Sequence, residues 1–412
     1  MGERGSDTQR RILSAALEVF GAVGFNDARV ELITRRAGCS RPAFYQYFSS
    51  KDDAFWALAG QLGKEMVELG DRLGRVAPDA TGVDQLSRWI DEFITLYSAH
   101  APVFSAFQAA SRHHRPMTRG SSRISDRLAA ALLHSVGKDG RRRNDVTLAA
   151  IVVAVLIRCS FYWESMAGTV ERQRLIHGLA RLVHRLLIGP IDGVNVDRAP
   201  ASNGGRRSTP ALPTSNGRGH RDLRPRGLRT RRQLLEAGAT VLPTRGYHDA
   251  RVDDIVEAAG VSHGSFYRYF DNKDDLFRVL AEEASTQMIE LLDGFPTAAE
   301  SPALRQWLED WFTAYGSNGG VISTWQEIQG ADPELQRFSQ QVAASVLTRL
   351  VVMLGRRGFG DPLVEALALL ALIERVPYSV LTLQFTERAD AIDAMVTIVR
   401  RGFMGLPDDG VI

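Results

Sequence analysis

The stretch Gly38-Cys39-Ser40-Arg41-Pro42-Ala43-Phe44-Tyr45-Gln46-Tyr47-Phe48 decides how this chain is read, because it returns 222 residues later as Gly260-Val261-Ser262-His263-Gly264-Ser265-Phe266-Tyr267-Arg268-Tyr269-Phe270. With that shift Thr8–Phe55 aligns to Thr230–Phe277 without a gap, and 22 of the 48 positions are identical. Such self-similarity marks two copies of one structural unit. In each copy a short helix with an apolar face (Val30, Ile33, Ala37; Val252, Ile255, Ala259) leads into a Gly-x-Ser turn. Glycine suits a left-handed corner, the apolar middle residue fills the core, and serine caps the next helix. In that helix Phe44 and Phe48, or Phe266 and Phe270, are spaced for the inner side. Pro42, Ala43 and Gln46 point away, flanked by Arg41 and Tyr45; the second copy exposes Gly264, Ser265 and Arg268, flanked by His263 and Tyr267. Neither outward face carries an acid, as a surface laid against phosphates requires.

Outside the repeat the chain is helical in pattern. Ile12, Leu13, Ala16, Leu17 and Phe20 form one stripe after Thr8, a candidate N-cap. Helical periods recur over 83–100, 147–167 and 170–188, and in the second half over 302–316, 333–355, 362–384 and 387–403. No alternating strands joined by hairpin turns occur, so the expected class is all-α. Residues 189–227, rich in Gly, Pro, Asn, Ser and Arg, read as a flexible basic linker. The chain has 412 residues, enough for at least two cores, and a net charge of only +2 from 50 Lys+Arg against 48 Asp+Glu. That balance excludes a polybasic coat and does not itself suggest a nucleic-acid partner. Two distant cysteines, Cys39 and Cys159, exclude a disulfide scaffold and a multi-cysteine metal site. The N-terminus shows no apolar signal region. Two apolar stretches, 146–163 and 363–383, contain Arg158 and Glu365, Glu374 and Arg375 respectively. Charges at bilayer depth are costly, so both are expected to be buried in protein, in a soluble, cytoplasmic chain.

The run Phe44-Tyr45-Gln46-Tyr47-Phe48 with Ser49-Ser50-Lys51-Asp52-Asp53, repeated as Phe266-Tyr267-Arg268-Tyr269-Phe270 with Asp271-Asn272-Lys273-Asp274-Asp275, resembles the recognition-helix signature of TetR-type bacterial transcriptional regulators. Gly24-Phe25 and Gly246-Tyr247 upstream also fit. The motif covers about a quarter of the chain; the remainder is similar to the family only in being helical and of suitable length. The resemblance implies a helix-turn-helix DNA-binding domain over 1–56, a helical ligand-binding and dimerisation domain over 57–188, and a second such pair over 228–278 and 279–412. It places Arg41, Pro42, Ala43 and Gln46, and His263, Gly264, Ser265 and Arg268, against base edges. It assigns phosphate contacts to Ser40, Tyr45, Tyr47 and Lys51 and to Ser262, Tyr267, Tyr269 and Lys273. Arg29 and Arg251, starting the preceding helices, are further phosphate candidates, although Arg29 also suits a solvated surface position. Tyr47 and Tyr269 equally suit packing within the domain. Arginine grips guanine O6 and N7 whereas glutamine suits adenine, so the copies are expected to read different half-sites of an asymmetric operator.

The same resemblance implies a repressor released by a small molecule; the tandem repeat with its unlike outward residues leads us to expect an intramolecular pseudo-dimer in place of the usual homodimer. A linker of about 39 residues has an r.m.s. span near 35 Å, comparable with the ~34–36 Å between half-sites one turn apart. The rival arrangement is two chains over four half-sites. Effector-pocket candidates are Phe93, Tyr97, Phe107, Arg158 and Tyr162 in the first half and Trp311, Tyr315, Trp325, Glu374 and Tyr378 in the second. Most aromatics at helical spacing are plain core, and a buried Arg158 or Glu374 needs a partner. Residues 221–229 carry Arg221, Arg224, Arg226 and Arg229, suited either to a solvated linker or to an arm entering a minor groove. Gly260-Val261-Ser262-His263-Gly264 matches the G-x-S-x-G nucleophile elbow, but that motif needs a strand before it, and a helix is expected there. His113-His114 lacks ligand spacing from any carboxylate or cysteine cluster, no phosphate-binding glycine loop appears, and a thiol sensor is poorly supported. No enzyme, metal, cofactor or membrane role is expected.

Overall fold

The computed structural model describes residues 3–110, 115–138, 142–165, 168, 170–190, 225–247, 249–296, 301–328, 333–357, 359–381 and 384–406. Among them are helices and turns and no strand, so the fold class is all-α. Contacts divide the chain into two compact units: Met1–Val196 with Phe385–Pro407, and Asp197–Gln384 with Asp408–Ile412.

Unit 1 begins with α1 (Glu3–Asp27), α2 (Val30–Ala37) and α3 (Arg41–Tyr45). The apolar stripe of α1 is buried at Ile12, Leu13, Ala16, Val19 and Phe20. Thr8 lies inside this helix rather than capping it, since α1 starts five residues earlier. Helical geometry breaks at Gly24 (φ 78°), which lets Phe25 turn back onto Phe20 and Phe55 with ring centroids 5.3 and 5.1 Å apart. The body of the unit is α4 (Lys51–Arg72), α5 (Ala80–Ala99), α6 (Ala101–Ala110), α7 (Arg115–Ser135), α8 (Arg143–Ser165) and α9 (Arg172–Leu187). α8 is long and apolar enough to cross a membrane, yet 67% of its apolar window is buried in the protein. Buried Arg158 lies over the rings of Phe161 and Tyr162, 4.4 and 4.8 Å from their centroids, so aromatic faces stabilise its charge.

Unit 2 repeats the opening with α10 (Pro225–Arg245), α11 (Val252–Ala259) and α12 (His263–Tyr269), followed by α13 (Lys273–Asp293), α14 (Ser301–Ile328), α15 (Pro333–Gly355) and α16 (Pro362–Leu381). α14 runs past the expected end at Gly316, because no proline interrupts it where Pro102 starts α6 in the first half. A reciprocal fit joins each opening helix to its body. A Cβ on Gly21 would meet Pro102 Cγ at 3.1 Å; at the equivalent place α10 has Pro243, and Gly320 of α14 is the small partner, with 2.3 Å between an added Cβ and Pro243 Cγ.

Two expected boundaries are corrected. Residues 225–227 are not linker but the first turn of α10, where proline's fixed φ suits a helix start. Arg226 and Arg229 therefore sit on a helix and not on an extended arm; Arg221 and Arg224 lie outside the described residues. The second correction concerns 279–412, which is not one body. Its last segment, α17 (Arg388–Thr397) continued by a π-helical stretch (Ile398–Phe403), belongs to unit 1. Phe385 packs against Ala129, Leu133, Ala149 and Ala150, Arg143 Nη2 lies 2.7 Å from Asp390 Oδ2, and Arg185 Nε donates to Gly402 O at 2.8 Å. The packing at Gly402 is close, since an added Cβ would come within 2.7 Å of Leu186 Cδ1.

Candidate nucleic-acid interface

The two heads are built alike from their turns outward. Gly38 (φ 61°) and Gly260 (φ 65°) end α2 and α11 in the left-handed conformation, which only glycine adopts without strain. Ser40 and Ser262 then cap the reading helices, their hydroxyls accepting from Ala43 N and Ser265 N, each at 3.3 Å. Both serines, expected at phosphates, thus already hold a helix start. Phe44, Phe48, Phe266 and Phe270 are buried, and they fix the opposite face outward. That face carries exposed Arg41, Pro42 and Gln46 in one head and His263, Gly264 and Arg268 in the other, with Ala43 and Ser265 half-buried. Tyr45 and Tyr267 are 49% and 57% exposed, unusual for rings of that size, whereas Tyr47 and Tyr269 are half-buried. Arg29 and Arg251 are exposed at the starts of α2 and α11.

Tertiary packing adds what the outward faces did not show. An acid one helix back reaches each reading helix: Glu31 Oε1 lies 2.8 Å from Arg41 Nη1, and Asp253 Oδ1 lies 3.1 Å from His263 Nε2. Glu31 and Asp253 occupy equivalent positions. The hydrogen bond with Tyr45, and then Glu31, raise the Arg41 pKa above its ordinary value. Arg41 is therefore held in place within the head by Glu31 and Tyr45.

Lys51 and Lys273, expected at phosphates, are tied within the head. Lys51 Nζ donates to Phe25 O at 2.8 Å and Ala28 O at 3.0 Å, and Lys273 Nζ donates to Tyr247 O and, at 2.9 Å, Ala250 O. Each ammonium also lies over the ring of Phe25 or Tyr247, 4.9 and 4.7 Å from the centroid. Burial lowers both lysine pKa values. They tie the opening helix to the body helix of each head. Ser262 is not a nucleophile on a strand-to-helix elbow, because α11 precedes it and its hydroxyl is a helix cap.

In unit 1 a cavity of about 810 Å³ opens between α4, α6 and α7, lined by Trp56, Ala59, Gly60, Gly63, Lys64, Val67, Glu68, Phe107, Asp126 and Arg127. Of the expected pocket residues only Phe107 is on this wall. Phe93, Tyr97, Tyr162, Trp311, Tyr315 and Tyr378 are buried core, Glu374 is half-buried, and the Trp325 side chain lies outside the described residues. Trp56, Lys64, Asp126 and Arg127 had no motif to announce them; α4 and α7 become neighbours only in the folded unit. Burial raises the Asp126 pKa above its ordinary value. Phe107 packs edge-on against Phe55 at 5.2 Å, and Phe55 against Phe25 of the head, so rings run in contact from cavity to head.

Burial pushes the Cys159 thiol up to about 12 and leaves it unreactive, while Cys39 is half-buried in the turn. Among the described residues no group of three His, Cys, Asp or Glu is placed to hold a metal ion, and His113-His114 lies outside them.

Comparison with known proteins matches these heads to one family. The family of bacterial regulatory proteins, tetR family, matches twice, at residues 12–58 and 234–280. The chain is 30% identical over 137 residues to the HTH-type transcriptional regulator EthR of Mycolicibacterium smegmatis, covering 32% of this chain and 61% of that protein. It is 38% identical over 61 residues to a fatty acid metabolism regulator protein of Bacillus subtilis, covering 15% and 31%. Less than two thirds of either relative's length is thus spanned. A crystal structure of a tetR-family transcriptional regulator from Streptomyces coelicolor aligns with 17% identity and a TM-score of 0.37, over 45% of this chain and 82% of that one. With the repeat and the paired turns in register, the two segments that match bacterial regulatory proteins, tetR family, are the two heads of this chain.

Proposed function

We propose that this protein is a cytoplasmic, sequence-specific DNA-binding transcriptional repressor in which one chain supplies both reading heads of an asymmetric operator. The observation that carries the reading is the pair of acid-free reading helices with matched scaffolds and different outward residues, Arg41, Pro42, Ala43 and Gln46 against His263, Gly264, Ser265 and Arg268. Exposed Tyr45 and Tyr267 hold phosphates and set register; the outward residues read bases. The return of α17 to unit 1 supports a chain that is its own dimer, since the last helix of the second half completes the first.

Selection of bound duplexes from a random-sequence library tests this directly. The expected site has two unlike half-sites, bound by one chain when the mass of the complex is measured. Arg268→Gln is expected to remove a guanine preference, worth about 1–3 kcal/mol, from one half-site only. A near-perfect inverted repeat, or a preference lost from both half-sites, would sink the proposal.

The effector site of this reading is the cavity on α4, α6 and α7. Trp56, Phe107, Val67 and the bare faces of Gly60 and Gly63 suit an apolar body, and the four charged groups on its wall suit a polar end. Pressing on Phe107 acts on Phe55 and so on Phe25, which would release the head from its DNA-bound setting. A Cβ on Gly60 meets nothing within 4 Å, so Gly60→Leu is expected to fill the cavity without unfolding the helix. With 1-anilinonaphthalene-8-sulfonate as probe, fluorescence enhancement should fall at least severalfold in this variant while its melting temperature holds. An unchanged enhancement places the probe, and the effector site, elsewhere.

A further inference from the structure

The two heads differ in charge as well as in reading residues. Thr8–Phe55 has seven basic and five acidic residues, whereas Thr230–Phe277 has six basic and eight acidic. The difference is concentrated next to the reading helix. α2 ends in exposed Arg35 and Arg36; α11 has Glu257 and Ala258 at those places and opens with Asp253 and Asp254. A duplex carries one negative charge per ~1.7 Å of axis, so the second head, taken alone, meets it with an unfavourable balance.

The missing charge lies at the start of α10. Arg226 and Arg229 are exposed one turn apart on one helix face, and among the described residues neither is ion-paired. Their equivalents in the first head are Arg4 and Asp7, so the same two positions carry no net charge there. The start of α10 is also placed beside the reading helix. Arg231 Cζ lies 5.8 Å from the ring centroid of Phe270, the residue that ends α12. Arg229 and Arg226 lie two and five residues before Arg231, exposed in the opening turns of the same helix.

We propose that Arg226 and Arg229 bind the phosphates flanking the second half-site, supplying from α10 the positive charge that α11 lacks. This rests on the DNA-binding reading above. Phosphate contacts set the salt dependence of binding, with a slope near −0.9 per contact. Affinity of the full chain for a 40-bp mixed-sequence duplex, followed by fluorescence anisotropy between 50 and 200 mM NaCl, is the measurement. The double variant Arg226→Gln/Arg229→Gln should flatten the log–log slope by about 1.8. The control pair Arg88→Gln/Arg356→Gln, exposed arginines outside both heads, should leave it unchanged. An unchanged slope in the first variant, or an equal flattening in the control, overturns the assignment. A parent chain that fails to bind the duplex overturns the DNA-binding reading itself. Circular dichroism matching the parent shows that each variant is folded.

Discussion

Phe44→Ala is expected to cost about 3–5 kcal/mol and to abolish protection of one half-site while leaving the other. Phe44 is fully buried, packed against Phe48 at 5.8 Å between centroids and edge-on to Tyr45 at 5.5 Å. Removing the ring takes away the floor on which the reading helix rests, and a five-residue helix cannot persist without tertiary support. Phe266, equally buried, is its counterpart, and Phe266→Ala should erase the complementary half of the footprint. In a homodimer of single-headed chains one substitution damages both half-sites at once. Footprinting of the two variants side by side therefore separates a two-headed chain from an ordinary dimer. Loss of both halves in either variant would contradict the two-headed assignment.

Gly82→Ala is expected to destabilise unit 1 by about 3 kcal/mol or more, through overpacking against backbone. A Cβ at this position would lie 1.9 Å from Ala77 O and 2.9 Å from Ala77 C. The carbonyl cannot give way cheaply. It accepts a hydrogen bond from His184 Nε2 at 3.0 Å, and His184 is only 1% exposed on α9. Asp79 pins the same turn by accepting from Thr81 N at 2.9 Å. For a unit of about 200 residues this cost lowers the unit 1 melting transition by roughly 6–12 °C. Differential scanning calorimetry of the full chain checks it, since unit 2 serves as an internal reference. A shift below about 2 °C would show that the turn relaxes around the new methyl group.

Much of the heads was legible in the chain because local chemistry specifies them. Gly38 and Gly260 need a positive φ, Ser40 and Ser262 cap, and Phe44/Phe48 and Phe266/Phe270 sort inner from outer face by spacing alone. Those are interactions between residues a few positions apart, and the second copy repeats them under different surface residues. The cavity on α4, α6 and α7 was not legible. Its wall combines Trp56 and Lys64 with Phe107 and Asp126, which come from three helices, and apolar periodicity cannot tell a lined cavity from a filled core. Aromatics such as Phe93 and Tyr97 satisfied the same pattern and turned out to be fully packed.

By itself the sequence determined the all-α class, the tandem repeat, the resemblance to the tetR family and the outward residues of each reading helix. Each follows from period, turn chemistry or identity between copies, which need no knowledge of distant partners. Only the tertiary structure decided that Lys51 and Lys273 hold carbonyls, that Glu31 and Asp253 steady Arg41 and His263, and that the final helix returns to the first unit. The reason is the same in every case. A side chain's charge and length say what it can bind, but its partner is set by which backbone groups and surfaces the fold brings within a few ångströms.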